Sequence, residues 1–579
     1  MIRATIHNIL ETSILNLGFH DIDIQLTETP NKKFGDYATN IALQLAKAAQ
    51  KNPLDLADEI IQALPTNEFI EKAEKINPGF INLWISDKWL LRQTLSIEHE
   101  KHFSVQSKKF NGEKILIEYT DPNPFKEFHV GHLYSNIVGE SLARLLEANG
   151  AVVQRANYQG DVGMHVAKAV WGLQKKLTDD KLSLDMLADK ELHSKVAFLG
   201  AAYVLGSNAY EHSKEAAEEI KIINKKVYDK DSEIFPLYEA GRTWSLDYFE
   251  EIYRRLGNNK GKGAFDDYYF ESEVGQIGLD LVNEYLKKGI FKNSDGAVIF
   301  EGKKIGLHNR VFINSLGLPT YEAKELGLAI EKDKRSGANI FIVITGNEIV
   351  EYFKVLIAAL TKINPQLASK VKHIAHGMVV LPSGKMSSRS GNIIQGTSIL
   401  DEAEKLAAER IAETSTAKVD LKTIAPIIAA GAIKYALLKN TIGSNIEFSF
   451  DDSISFKGNS GPYLQYTYVR CQSILKNTEA VVEPPKVYEG NIHEEERDIM
   501  LSICLYPEVV ESAAQAFEPH LICTYLYDLS QKFNLFYEKH PVLQPDIQTQ
   551  EFRLFLIATI SKILKEGLYL LGIEVVERM

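Results

Sequence analysis

The 579-residue chain is 45% hydrophobic and 25% charged, ordinary for folded domains, and at about 150 residues per domain it predicts about four units. Its formal net charge of −12 excludes the broad basic surface that usually marks a nucleic-acid binder and leaves only local basic sites. Cys471, Cys504 and Cys523 are odd in number and form no C-x-x-C pair, which predicts a reducing compartment and no structural zinc. No stretch approaches ~18 uninterrupted apolar residues, so no membrane span is expected. The start Met1-Ile2-Arg3-Ala4, with Glu11 soon after, lacks the order of a signal or transit peptide and predicts the cytoplasm.

Residues 1–105 read as an α+β module. Ile6, Ile9, Leu10, Ile14, Leu15 and Leu17 recur near helical period. Phe34-Gly35-Asp36-Tyr37 reads as a structural turn. Asn52 before Pro53 reads as an N-cap. Ile76 to Ile85 reads as a turn and a strand. After the polar linker Lys108 to Gly112, the run Ile115-Leu116-Ile117-Glu118-Tyr119 predicts a buried parallel strand. A helix from His132 to Asn149 follows, with Gly150 where a left-handed C-cap belongs, and Val152-Val153 starts the next strand. This strand–helix–strand unit implies a doubly wound, Rossmann-like parallel sheet spanning 112–396. Residues 168–300 read as a helical insertion containing one acidic-aromatic stretch, Phe265 to Phe270. The sheet resumes with Ile340 to Ile344, a turn at Thr345-Gly346-Asn347, a helix to Leu360, and a strand from His373 to Leu381. Beyond 397 everything reads as helix: a connecting region over 397–460 and an all-α bundle over 461–579.

Two short segments carry chemistry. His129-Val130-Gly131-His132 lies between strand and helix. Free N–H groups at a helix start attract anions, and imidazole donors beside them suit phosphates. Gly131 lets a flat ring approach the backbone. Alone, the tetrapeptide reads more often as a cap and turn. Lys385-Met386-Ser387-Ser388-Arg389, after Ser383-Gly384, puts two cations and two hydroxyls on a loop that could close over a triphosphate. Alone, it reads more often as a solvated basic loop. No G-x-x-x-x-G-K-[ST] exists, which excludes a P-loop enzyme.

Together, in this order and in these strand contexts, the pair resembles the two signatures of class I aminoacyl-tRNA synthetases. Glu118-Tyr119-Thr120-Asp121-Pro122-Asn123, then Lys126, His129 and His132, narrow the likeness to the arginine-specific family. So do Asn157-Tyr158-Gln159-Gly160-Asp161, the helix opening Gly461-Pro462-Tyr463-Leu464-Gln465-Tyr466 and the tail to Met579. The resemblance implies ATP, Mg2+, L-arginine and tRNA(Arg) as partners, with no DNA and no membrane, and a monomer. It implies Lys126, His129, His132, Lys385 and Arg389 as catalytic groups. ATP would meet His129, Gly131, His132, Met378, Lys385, Met386, Ser387 and Ser388. Arginine would meet Glu118, Asn123, His132, Tyr321, Glu325 and Asn347. The tRNA would meet Tyr463, Tyr466, Arg470 and Met579, and also the 1–105 module, in which Phe34-Gly35-Asp36-Tyr37 is more often a structural turn than a contact. The family has Asp where Glu325 stands, and Lys where Arg389 stands; Lys126 occupies the place of the compensating lysine. The cysteine-specific relative would need zinc thiolates, and no cysteine precedes Cys471. A non-catalytic paralogue would not need His129, His132 and Lys385.

Overall fold

The computed structural model describes residues 2–29, 31–97, 109–258, 263–381, 395–414, 420–478, 483–543 and 546–579. The chain divides into two compact units: Lys108–Tyr466 with Ala513–Cys523 and Leu568–Met579, and Met1–Ser107 with Thr467–Ser512 and Thr524–Gly567.

The larger unit is built on five parallel strands: β1 (Lys114–Glu118), β2 (Val152–Gln159), β3 (Asp267–Phe270), β4 (Ile340–Gly346) and β5 (Val371–His376). Their spatial order is β5-β4-β1-β2-β3, and every neighbouring pair is parallel. Ile115, Leu116 and Ile117 put apolar side chains on both faces of central β1, and all three are buried, as a strand covered on both sides requires. The chain runs outward from β1 through β2 to β3, then returns to the other flank of β1 as β4. That reversal opens a crevice beyond the carboxyl ends of β1 and β4, where ligands of such sheets bind. Helix α1 (Val130–Ala148) is the crossover from β1 to β2; it ends at Asn149, and Gly150 takes φ +91°, the left-handed exit expected there.

The stretch between β2 and β3 is helical: α2 (Met164–Asp179), α3 (Leu192–His212), α4 (Lys214–Tyr228) and α5 (Phe235–Arg255). The expected insertion over 168–300 is too long at its far end. The acidic-aromatic stretch supplies β3, paired with β2 from Ala156↔Asp267 to Gln159↔Phe270. A four-residue edge strand carries too little alternation to be read. Its acids are strand fittings: Asp266 Oδ2 accepts the Arg155 N–H at 2.8 Å, and Asp267 accepts from Gln154. Helix α6 (Glu271–Lys287) follows, then a small antiparallel sheet of Lys292–Ser294, Ala297–Phe300 and Arg310–Ile313 that sequence patterning did not predict. Helices α7 (Tyr321–Ser336) and α8 (Val350–Ile363) flank β4 in sequence. Helix α9 (Leu421–Leu438) is long and apolar enough to cross a membrane by length and composition, but Lys422 and Lys434 interrupt it and 67% of it is buried within the protein.

In the smaller unit, Leu26–Glu28, Tyr37–Thr39, Phe80–Ile85 and Ile70–Ile76 form an antiparallel sheet in that order. Asn52 caps the helix from Pro53, accepting from the Leu54 N–H. The Phe34–Tyr37 turn is structural: Asp36 accepts two bonds from the Arg497 guanidinium, both 2.8 Å, and one from the Ile85 N–H.

Candidate active site

The site begins where β1 ends. Thr120, Asp121 and Phe125 adopt φ of +80°, +46° and +67°. Each costs a side-chain-bearing residue about 1–3 kcal/mol and persists only when neighbours enforce it. They do. Ser135 Oγ accepts the Thr120 N–H at 2.9 Å, Asn136 Nδ2 donates to Thr120 Oγ1 at 2.9 Å, Asp121 Oδ1 accepts the Tyr158 N–H at 2.8 Å, and Ser245 Oγ accepts the Phe125 N–H at 3.0 Å. This held loop leads from β1 to α1 at the topological reversal.

His129 is the N-cap of α1. Its Nδ1 accepts from the Gly131 and His132 N–H groups at 3.1 and 3.4 Å, and its own N–H donates to His132 Nδ1 at 3.3 Å. The two rings stack, centroids 3.6 Å apart. The N–H groups expected to be free for an anion are thus taken by the imidazoles. With both Nδ1 atoms accepting, each neutral ring carries its proton on Nε2. Neutrality is enforced: burial pushes His132 well below the usual histidine range, with His129 and Lys126 adding to the effect. Burial also lowers His129, against the opposing pull of Glu348. Gly131 leaves room for this arrangement, since a Cβ there would sit 2.9 Å from His129 Cε1. Lys126 is lowered by burial, while Glu271 holds it up and Lys168 lowers it further. Beyond the undescribed 382–394, the chain resumes in contact with this loop: Gly396 N–H donates to Phe128 O at 2.7 Å, and Gln395 bridges His129. Lys385, Met386, Ser387, Ser388 and Arg389 lie outside the described residues. Met378, 57% exposed, pairs through its backbone with Ile446.

Carboxylates gather at the same end of β1. Glu118 is 2% exposed, and its Oε2 accepts from Lys332 Nζ at 2.9 Å. Burial and Glu118 together raise Asp121 well above the carboxylate range. The same two causes push Glu325 up to about 8. Glu325 is therefore no solvated helix residue. Asn123 uses its Oδ1 to accept the Gly160 N–H at 3.0 Å. Tyr321, first residue of α7, is 59% exposed, and Asn347 is exposed at the carboxyl end of β4. Sequence reading gave three groups no role, Asp161 among them although it ends the motif Asn157-Tyr158-Gln159-Gly160-Asp161. Lys332 sat in the charge run Glu331 to Arg335. Buried Glu271 pairs with Lys324 at 2.6 Å. Asp161, fully buried, accepts from Tyr238 Oη, Arg242 Nε, and Ser272 N–H and Oγ at 2.7–3.1 Å. Asp161→Ala should cost about 3–5 kcal/mol, the usual penalty for stranding partners of a buried charge; urea unfolding measures it, and a loss below 1 kcal/mol would contradict this role. Elsewhere, Tyr466 is 44% exposed, Tyr463 is half-buried, and Arg470 is engaged by Asn534 (3.1 Å) and the Tyr537 ring (4.5 Å).

Paired imidazoles at the start of α1 and a buried carboxylate at the end of β1 flank one loop at the carboxyl end of a doubly wound sheet, the arrangement of a class I aminoacyl-tRNA synthetase. The family model for the catalytic domain of class I (R) tRNA synthetases matches residues 93–450. The DALR anticodon-binding domain matches 464–579, and the arginyl-tRNA synthetase N-terminal domain matches 1–85. The arginine–tRNA ligase of Fusobacterium nucleatum is 32% identical, over 96% of this chain and 95% of its own. That of Flavobacterium psychrophilum is 30% identical, over 100% and 98%. The arginyl-tRNA synthetase structure of Thermus thermophilus superposes with a TM-score of 0.79 at 25% identity, covering 100% of both chains. The chain belongs to the arginyl-tRNA synthetase family, as its motifs implied, with a parallel-sheet catalytic domain, an N-terminal module and a helical C-terminal domain.

Proposed function

We infer that this chain is an arginine–tRNA ligase in translation. The arginine carboxylate attacks the ATP α-phosphorus, the bond to the bridging oxygen breaks, and pyrophosphate leaves. The 2′-hydroxyl of the terminal adenosine of tRNA(Arg) then attacks the acyl carbon and AMP leaves. The observation that carries this reading is the loop from β1 to α1, with buried Glu118 at its start and the stacked imidazoles of His129 and His132 at its end. Nε2–H groups of His129 and His132, with the Lys126 ammonium, suit the phosphates and the charge that grows on them in the transition state. Glu118, Glu325 and Asn123 suit the substrate's cationic groups, with Tyr321 and Asn347 at the rim. Lys385 and Arg389 would join from the second signature, with Met386, Ser387 and Ser388, while Gly131 and Met378 would face the adenosine. No protein nucleophile is needed; positioning and electrostatics suffice.

Among the described residues no group of three His, Cys, Asp or Glu is placed to hold a metal, so the Mg2+ expected with ATP has no protein ligands assigned to it. For tRNA we propose Tyr463 and Tyr466 as contacts, Arg470 as a charge held in place by Asn534 and Tyr537, and the tail at Met579 as a further contact. The protein is proposed to act as a cytoplasmic monomer. ATP–pyrophosphate exchange with purified tRNA, run across several amino acids, tests the reading. Exchange with arginine alone is expected; exchange with another amino acid, or none, would overturn it.

A further inference from the structure

Glu118 and Lys332 form a buried ion pair whose two side chains are 2% and 5% exposed. Lys332 lies two helical turns after Glu325 on α7, so the two share a helix face. Lys332 uses Oε2 of Glu118. Among the described residues, Oε1 of Glu118 has no hydrogen-bond partner, and Glu325 has neither a hydrogen bond nor an ion pair. Glu325 and Lys332 also border a cavity of about 20 Å³ walled by Phe341, Val343, Phe353 and Leu356, about the space of one water. The other acids near Glu325 are already engaged: Glu271 by Lys324 and Glu322 by Arg310. Asp121 spends Oδ1 on the Tyr158 N–H. Tyr158 on β2 and Tyr352 on α8 complete the titratable surroundings.

We propose that Lys332 is a positioning residue that makes the pocket selective for a cation: by holding Oε2 of Glu118 it fixes that carboxylate with Oε1 free for the substrate, and leaves Glu325 as the second unclaimed acceptor. The proposal rests on the arginine-ligase reading of the same crevice. An uncharged group cannot supply the counter-ion that Glu325 lacks, whereas a guanidinium can, and it can also donate to the open Oε1 of Glu118. Three carboxyls around one ammonium cannot all stay ionised without substrate, so the pocket stores a proton, shared by Asp121 and Glu325, both of which burial and Glu118 raise. An entering guanidinium displaces it. Without Lys332, Glu118 loses its counter-ion, takes up a proton too, and no longer presents a fixed Oε1.

Calorimetry of arginine binding at pH 7, with tRNA present and in buffers of differing ionisation enthalpy, counts the protons released. The unaltered chain should release close to one. Lys332→Met should release more, approaching two. In the exchange assay its arginine KM should rise at least tenfold while kcat changes less than threefold. Its preference for arginine over citrulline, the neutral urea isostere, should narrow at least tenfold. Lys332→Arg should restore the single proton and the preference. A merely structural lysine would leave the proton count untouched. An unchanged count, with arginine KM within threefold of the unaltered chain, overturns the proposal. If Lys332→Met does not fold, Lys332→Gln, of similar reach, is held to the same outcomes. Failure of the unaltered chain to exchange with arginine would overturn the ligase reading itself; normal exchange with an indifferent Lys332 overturns this inference alone.

Discussion

His132→Ala is expected to lower kcat for arginine-dependent exchange about a hundred- to a thousandfold, the range seen when one preorganised donor to a developing charge is lost. The ring has two duties. Through Nδ1 it accepts the His129 N–H, and by stacking it holds the His129 ring over the start of α1. Through Nε2–H it is proposed to offer a donor to the phosphates. His132→Asn separates the duties, because an amide oxygen can accept from His129 N–H while no donor reaches as far as Nε2. The asparagine variant should keep the melting temperature and lose the rate. Both imidazoles are depressed below the usual range by burial, so they stay neutral donors through neutral pH, and kcat should show no histidine titration between pH 6.5 and 8. A loss smaller than tenfold in His132→Ala, or a rate that climbs as pH falls from 7 toward 6, would rule out a neutral-donor role. The measurement is exchange rate against pH at saturating arginine and ATP.

How much of this could be read before any coordinates depends on how locally each feature is determined. β1 was legible because three consecutive apolar residues need burial on both faces, and Gly150 because a helix end needs a left-handed residue. The histidine signature was legible as a helix start, but its use was not. Whether Nδ1 of His129 turns back onto Gly131 and His132 is a matter of side-chain torsion and of a stacked partner, neither of which a tetrapeptide displays. β3 was lost inside the 168–300 stretch because four residues opening on Asp267, straight after Asp266, look like a loop until Arg155 and Gln154 of β2 supply partners. In the pocket, Glu118 stood out as a carboxylate ending a buried strand. Lys332 did not. In Glu331-Lys332-Asp333-Lys334-Arg335 it is one charge among five on a helix that reads as solvated, and only tertiary contact buries it beside Glu118 while Lys334 stays 77% exposed. Charges that a helix hides from water are assigned by tertiary contact, and a single sequence offers no period that separates them from their neighbours.

Glu325→Gln should raise the arginine KM about a hundredfold, since a charge-assisted hydrogen bond to a buried cation is worth about 1.5–3 kcal/mol and each ~1.4 kcal/mol is a factor of ten. The same substitution should stabilise the arginine-free protein. Burial and Glu118 push the folded-state pKa of Glu325 up to about 8, from 4.5 for an ordinary glutamate. The folded protein therefore binds this proton more tightly than the unfolded chain. Its contribution is fully present below the unfolded value and is lost as pH rises through about 8. Glutamine does not titrate. The melting temperature of Glu325→Gln should thus match the unaltered chain near pH 4.5 and exceed it by a widening margin up to pH 8. Saturating arginine should reverse the order, because the guanidinium supplies the counter-ion to the carboxylate and not to the amide. The opposite signs with and without ligand identify a side chain held in an unfavourable state for the sake of its substrate. A hundredfold KM effect without the pH-dependent gain in melting temperature would mean that Glu325 shapes the pocket but stores no proton there. A gain in stability with an unchanged KM would remove it from the arginine site.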